Sequence, residues 1–367
     1  MKETEKVLRG RELLELRLRS LYERYGYCKY RMSRFEEYSL YLENRNFLKS
    51  DRIITFTDDR GKLLALKPDI TLSIVKGAGR DAAARVYYSE NIFRAASGSD
   101  EMREMRQVGL EHIGRVDLYT ESEVLMLALE SLAAVGRDYI MGIPHLGLVT
   151  GLLDATELPA AEKEKLSLYI GSKNAHEIAA LCAASGVGPA LAEKICALAG
   201  IYGTFPERMD ALRGLVVNKS TESAVEELCA LYEILAEAGY GDRIRVDFSV
   251  VNDLSYYNGI TFQGFVEGVP ESVLSGGRYD NLLHRMGRSG EALGFALYMD
   301  ALERTLEAEA LPEADILFLY PEDAPAADVA RAVRQLSREG RVYAALTEPE
   351  NMSFCRRVVY AAGEVQE

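Results

Sequence analysis

Residues 103–114 carry an amide and a carboxylate at a spacing that could hold a small polar ring. If this stretch is a strand, Gln107, Gly109 and Glu111 share one face, because side chains alternate with period two. Gly109 between them opens space above the sheet. An imidazole needs a donor and an acceptor, or two acceptors once protonated, and Gln107 with Glu111 can meet either need. A half-solvated strand is the commoner source of such polar alternation, and spacing alone does not separate the two. Farther on, Tyr256 and Tyr257 stand between Asp253-Leu254-Ser255 and Asn258-Gly259, and Ser275-Gly276-Gly277-Arg278-Tyr279-Asp280 follows. A tyrosine offers a flat apolar face with a polar tip, a fitting wall for an imidazole. An isolated Tyr-Tyr is more often core packing. Gly276 and Gly277 let backbone approach a ligand closely. Pro68-Asp69-Ile70-Thr71-Leu72 reads as a proline turn opening a helix capped by Asp69 or Thr71.

The elements that must position these residues follow from periodicity. Leu14, Leu18, Leu21 and Tyr25 recur at helical spacing over 7–25, with Gly26 as the stop. Residues 53–57 and 62–66 flank Asp58-Asp59-Arg60-Gly61 as a hairpin. Residues 85–94 and 103–114 read as longer strands around a polar loop at 96–100. Thr120-Glu121-Ser122-Glu123 has the form of a capping box, opening a helix faced by Val124, Leu127, Ala128 and Leu132. From about 150 to 240 the chain is rich in Ala, Leu and Glu and reads as a helical insertion without clear strands, Val225, Leu228, Cys229, Tyr232 and Leu235 lining one helix. Strand-like alternation returns at 245–250. After a linker at 311–313, Ile316–Tyr320, a helix over 326–338 and Val342–Leu346 suggest a small βαβ unit. The expected fold class is α+β: an antiparallel sheet flanked by helices in 1–310, interrupted by the insertion, then a small α/β unit in 313–367.

Composition narrows the classes. A chain of 367 residues with 48% hydrophobic and 27% charged residues is long enough for two or three domains around a sizeable core. No apolar run approaches the roughly 18 residues of a membrane span, and the start lacks the apolar core of a signal peptide, so a cytoplasmic protein with no membrane partner is expected. The scattered cysteines, Cys28, Cys182, Cys196, Cys229 and Cys355, are expected to be reduced and buried, and the four histidines show no metal-site spacing. The net charge of −14 weighs against a nucleic-acid partner.

Phe93-Arg94 with Arg103-Glu104-Met105-Arg106-Gln107-Val108-Gly109-Leu110-Glu111 resembles motif 2 of the class II aminoacyl-tRNA synthetases in its histidyl form. Leu66-Lys67-Pro68-Asp69-Ile70-Thr71 is similar to that family's Leu-Arg-Pro-Glu-x-Thr turn. Leu254–Phe262, the glycine-rich turn and Leu293-Gly294-Phe295-Ala296-Leu297 look like its histidine pocket and motif 3. The resemblance implies that Asp69 and Thr71 bind the α-amino group of histidine and that Gln107 and Glu111 meet its amino group or ring. It implies Tyr256, Tyr257 and Tyr279 as aromatic walls, Arg94 on the carboxylate and an α-phosphate, and Arg103 near a nucleotide. Arginine suits oxyanions because its planar fork pairs with them in a bidentate way.

The departures carry as much meaning. Asn252 stands where the family has an arginine ahead of its tyrosine pair, and residues 298–302 read Tyr-Met-Asp-Ala-Leu where motif 3 ends Gly-x-Glu-Arg-Leu. Losing one such preorganised donor typically costs about 2.7–4 kcal/mol in the transition state. Lys67 replaces an arginine, Asp69 is one methylene shorter than glutamate, Ser33 stands at a motif 1 proline, and 313–367 resembles only the opening of an anticodon-binding domain. The pattern fits best the catalytically inactive branch of the histidyl-tRNA synthetase family, the regulatory subunits of ATP phosphoribosyltransferase in histidine biosynthesis. That implies no catalytic residues and no required cofactor, with histidine as an effector. It implies a homodimer within a hetero-oligomer, partnered by a short-form ATP phosphoribosyltransferase catalytic subunit, with tRNA not expected. ATP and Mg enter only if synthetase activity survives. Two other readings stay open: a divergent histidyl-tRNA synthetase that forms histidyl-adenylate and charges tRNA, and a stand-alone histidine-binding regulator.

Overall fold

The computed structural model describes residues 8, 10–48, 52–77, 83–95, 101–250, 256–307, 312–361 and 364–366. They form two compact units, Met1–Leu306 and Glu307–Glu367. In the first, helix α1 (Gly10–Arg24) buries Leu14, Leu18 and Leu21, with Tyr22 rather than Tyr25 as its fully buried ring, and Gly26 leaves the helix at φ +81°. Strand β1 (Cys28–Lys29) leads to β2 (Phe35–Glu37), α2 (Tyr38–Glu43), β3 (Thr55–Thr57) and β4 (Leu63–Leu66). The β3–β4 hairpin turns at Gly61, φ +80°, and completes a three-stranded sheet in the order β2-β4-β3. After α3 (Thr71–Gly77), β5 (Ala84–Ala95) and β6 (Met102–Gly114) pair antiparallel from Ala84 opposite Ile113 to Ala95 opposite Met102.

Helix α4 (Leu118–Ala133) begins two residues before the expected capping box. Its cap is Asp117, whose Oδ1 accepts from the Thr120 amide at 3.0 Å and the Thr120 hydroxyl at 2.9 Å. Glu123, expected to fold back on the cap, instead joins Tyr27, Arg85 and Tyr119. Strand β7 (Tyr139–Gly142) precedes the insertion, which holds α5 (Leu146–Asp154), α6 (Ala160–Gly171), α7 (Ala175–Ala184), α8 (Pro189–Gly200), β8 (Tyr202–Thr204), α9 (Phe205–Gly214) and α10 (Lys219–Glu237). Helix α10 buries Val225, Leu228, Leu231 and Leu235. The insertion is not purely helical: β8 pairs antiparallel with β9 (Ile244–Asp247) and so extends the main sheet. Strands β10 (Thr261–Val266) and β11 (Leu274–Arg278), helix α11 (Asp280–Arg285), strand β12 (Glu291–Tyr298) and helix α12 (Met299–Glu307) close this unit.

The nine-stranded sheet runs β1-β5-β6-β12-β11-β10-β7-β9-β8, with parallel pairs only at β1–β5 and β7–β9. One face of its centre, with Val108, Leu110, Leu293, Phe295, Leu297 and Phe262, packs into the main core with α1 and α4. The opposite face is left to the site. In the second unit, β13 (Ala314–Leu319), α13 (Ala326–Leu336) and β14 (Val342–Ala345) make the expected parallel βαβ. Two further strands, β15 (Phe354–Ala361) and β16 (Glu364–Gln366), extend it beyond what periodicity indicated. Among the described residues no helix is long and apolar enough to cross a membrane. All five cysteines are unpaired, but Cys28 and Cys355 are exposed, contrary to the expectation that all are buried.

Replacing Asp117 by Ala should lower stability by about 0.5–2 kcal/mol, the usual loss for an N-cap carboxylate. Urea denaturation checks this, and a loss from Glu123→Gln equal to that from Asp117→Ala with no change in the near-ultraviolet signal would restore the Thr120 cap.

Candidate functional site

Pairing register builds the floor of the site. Glu111 lies opposite Gly294, and Gly294 opposite Gly277; one step along, Gly109 lies opposite Ala296, and Ala296 opposite Ser275. Directly opposed residues point to the same face, so Gln107, Gly109 and Glu111 share a floor with small side chains from β11 and β12. The turn before α3, the β5 strand and the segment after Tyr256 raise walls around it. The result is a cavity of about 500 Å³, lined among others by Asp69, Thr71, Arg94, Gln107, Glu111, Tyr256, Tyr257 and Tyr279. A volume near this value is ordinary for small-molecule sites, roughly 300–1,000 Å³.

Glu111 anchors it. Its side chain is 2% exposed, accepts from the Thr71 hydroxyl at 2.9 Å and accepts from the Tyr279 hydroxyl at 2.6 Å. A Cβ at Gly294 would fall 1.8 Å from Glu111 Oε2, so only glycine permits this placement. Burial pushes the Glu111 carboxyl up to about 8, against the two hydrogen bonds that favour its charged form. Gln107 is 7% exposed, so these two polar residues do not belong to a solvated strand face.

The turn before α3 does double duty. Asp69 Oδ1 accepts from the Leu72 amide at 2.9 Å, capping α3, while the same residue lines the cavity. Lys67 turns away: its fully buried ammonium sits 3.4 Å from Glu90 Oε2, and burial lowers its pKa. Tyr256 packs edge-on against Phe47 and Tyr257 and tilts towards Tyr279, ring centroids 4.6–5.9 Å apart. Arg94 lines the cavity and has no hydrogen-bond or ion-pair partner among the described residues. A free guanidinium facing a carboxylate, an amide and aromatic walls suits a zwitterion with a polar ring.

Arg103 does not join it. It lies opposite Arg94 in the β5–β6 ladder, but its guanidinium pairs with Glu101 at 2.8 Å in solvent and does not line the cavity. Ala301 packs against the main core from α12. Asn252 lies outside the described residues. One glycine acts differently from expectation: the space above Gly109 is filled by the Tyr88 hydroxyl end, whereas Gly276 lines the cavity and on its other side makes room for Phe262 and Phe295.

The glycine-rich turn alternates its tasks. Tyr279 points to Glu111, while Arg278 bonds Asp280 at 2.8 Å, Glu121 at 3.2 Å and Glu291. Asp280 in turn accepts from the Asn258 amide at 2.9 Å, and its own amide donates to Asn258 Oδ1 at 2.7 Å, tying this turn to the tyrosine pair. Sequence reading did not single out Tyr88, Phe47, Gln263, Ser275 or Tyr298, which also line the cavity. Alternation along 293–298 was the available signal for Tyr298, since it falls on the same face as Gly294 and Ala296.

Comparison with known proteins agrees with this architecture. The family model for histidyl-tRNA synthetase matches residues 4–302. A protein from Alkaliphilus metalliredigens named ATP phosphoribosyltransferase regulatory subunit is 30% identical over 303 residues, covering 81% of this chain and 76% of that protein. The structure of an ATP phosphoribosyltransferase regulatory subunit/histidyl-tRNA synthetase from Bacillus halodurans superposes with a TM-score of 0.79 at 22% identity, covering 95% of this chain and 93% of that one. A chain of the ATP phosphoribosyl transferase (HisG:HisZ) complex from Thermotoga maritima gives a TM-score of 0.62 at 21% identity, covering 78% of this chain and 96% of that one. At these identities the two structures speak to the fold.

Glu111 makes stability depend on pH in a definite direction. Below its ordinary value of 4.5 both folded and unfolded chains hold the proton; between 4.5 and about 8 only the folded chain does. Stability should therefore fall as pH rises through that window, by on the order of 1 kcal/mol per unit. Glu111→Gln, which stays neutral, should flatten the slope in urea denaturation from pH 5 to 9; an unchanged slope would show that Glu111 keeps an ordinary pKa.

Proposed function

The chain belongs to the histidyl-tRNA synthetase family, and from that premise we propose that it is the non-catalytic regulatory subunit of ATP phosphoribosyltransferase, the first enzyme of histidine biosynthesis, with histidine as its effector. One observation carries the reading. Eight side chains suited to an amino acid converge on one cavity, while the position that ends motif 3 is a half-buried alanine packed against the core. A sensor needs only differential affinity between assembly states, typically about 1–3 kcal/mol of coupling, and no transition-state cation. Adenylation needs that cation.

In this reading the ligand's ammonium meets Asp69, Thr71 and Gln107, its carboxylate meets Arg94, and its imidazole lies against Tyr256 and Tyr257 near Glu111 and Tyr279. The partner is a short-form ATP phosphoribosyltransferase catalytic subunit, in a hetero-oligomer built on a homodimer of this chain in the cytoplasm. The relatives' names support the partner. The chain itself needs no cofactor and performs no reaction. A divergent synthetase would have to supply other cations at both departures, and Arg103, held by Glu101, does not offer one.

The pure chain should show no histidine-dependent ATP–pyrophosphate exchange, and adding it to a short-form catalytic subunit should produce a co-eluting complex with raised phosphoribosyltransferase activity. Robust exchange by the chain alone would sink the proposal. Glu111→Ala should weaken histidine binding in calorimetry roughly 10- to 100-fold, as expected for removing a buried hydrogen-bonding carboxyl. Unchanged affinity would remove Glu111 from the ligand's surroundings.

A further inference from the structure

The floor of the cavity has a size gradient. Its first rung reads Glu111–Gly294–Gly277–Thr261 across four strands, and its second reads Gly109–Ala296–Ser275–Gln263. Between Glu111 and Ser275, β11 and β12 contribute only Gly, Ala and Ser to this face, which leaves volume above the sheet. The third rung changes character. Tyr298 stands opposite Gln107, and its hydroxyl bonds the Ser275 hydroxyl, one rung back and one strand across. Such a diagonal neighbour is about 7–8 Å away, within reach of an aromatic side chain. The ring therefore leans back over the floor instead of standing clear of it, and it lines the cavity together with Arg94, Gln107 and Gln263.

Direction along the strands gives this ring a consequence. On β5, Val86 lies opposite Glu111, Glu90 opposite Gln107, and Arg94 opposite Arg103. Travel from the Glu111 end towards Arg94 thus passes the Tyr298 rung. A ligand with its ring at Glu111 and its carboxylate at Arg94 spans this rung, and Arg94 and Tyr298 line one cavity, so bulk attached through that carboxylate competes with the Tyr298 ring for the same space. We propose that Tyr298 is a specificity-determining residue: its ring occupies the part of the cavity beside the ligand's carboxylate and shuts out an aminoacyl-adenylate or a similar nucleotide-bearing ligand. The residue occupies the glycine position of the motif 3 pattern Gly-x-Glu-Arg-Leu, so one substitution both adds the barrier and is readable in the sequence. The inference rests on the histidine-binding reading above and adds to it the reason that the pocket takes histidine alone.

The test is calorimetry on the full chain with two probes, L-histidine and a non-hydrolysable sulfamoyl analogue of histidyl-adenylate. Wild type should bind histidine and bind the analogue more weakly. Tyr298→Gly should shift the ratio of analogue to histidine affinity at least about tenfold towards the analogue relative to wild type, the scale on which one side chain in a pocket discriminates. Tyr298→Ala, gentler on the strand, should show the same gain if the glycine variant does not fold. Tyr298→Phe, which keeps the ring but loses the bond to Ser275, should still exclude the analogue. Tighter analogue than histidine binding by wild type, or no gain in either small variant while histidine still binds, overturns this proposal alone. Absence of histidine binding by wild type overturns the parent reading and this one with it.

Discussion

A buried carboxyl holds the site of this protein together. Glu111 sits on strand β6, and the two hydroxyls that satisfy it come from the start of α3 and from the glycine-rich turn before α11. Three segments far apart in sequence therefore meet at one group. An unsatisfied buried carboxyl costs several kcal/mol, so displacement of any of the three is penalised through the others. Its position also demands the absence of a side chain at Gly294, which makes a glycine in β12 part of the same constraint. The raised pKa follows from the same burial: a neutral acid donates as well as accepts, and it becomes a better partner for a cation as it ionises.

A second layer supports the first. Arg278 gathers Glu121 of α4, Asp280 of α11 and Glu291 of β12, while Asp280 and Asn258 exchange two hydrogen bonds. Glu121 is pushed up to about 7 by burial and by the neighbouring carboxylate Glu227 of α10, which meets His145 at 3.1 Å. His145 Nδ1 accepts from the Gly147 amide at 3.0 Å, so its proton belongs on Nε2, facing Glu227. Glu227 of the helical insertion is thereby linked, through Glu121, to Arg278 of the turn that carries Tyr279. Breaking a buried pair by removing one partner is far more damaging than never having built it, and the tyrosine walls depend on that turn for their position.

Much of this arrangement was legible beforehand. The β5–β6 pair, the β3–β4 hairpin and α1 follow from local alternation and turn chemistry, and the structure places them within a few residues of the expected bounds. The eight residues assigned to an amino-acid pocket do surround one cavity. Other features were not legible. The start of α4 was misread because Asp117 and Thr120 are both acceptable caps, and which one serves depends on where the preceding strand releases the chain. The strand β8 was missed because three residues carry no periodicity of their own; it is a strand because β9 offers an edge. Arg103 was expected near a nucleotide from the resemblance to the motif 2 loop, whereas its guanidinium pairs with Glu101 in solvent.

What the sequence by itself determined is what depends on near neighbours: helix and strand periods, the proline turn with its capping aspartate, the glycine-rich turn, and the residue types that mark the family and its missing arginine at Ala301. What only the tertiary structure decided is which side chains share space across strands. Register sets Glu111 beside Gly294 and Tyr298 beside Gln107, and a shift of one residue would send each to the opposite face. It also decided that Tyr88 fills the gap above Gly109, and that the Tyr298 ring leans across the floor to Ser275. These are packing outcomes between residues up to about 200 positions apart in a close-packed interior, and no local pattern encodes them.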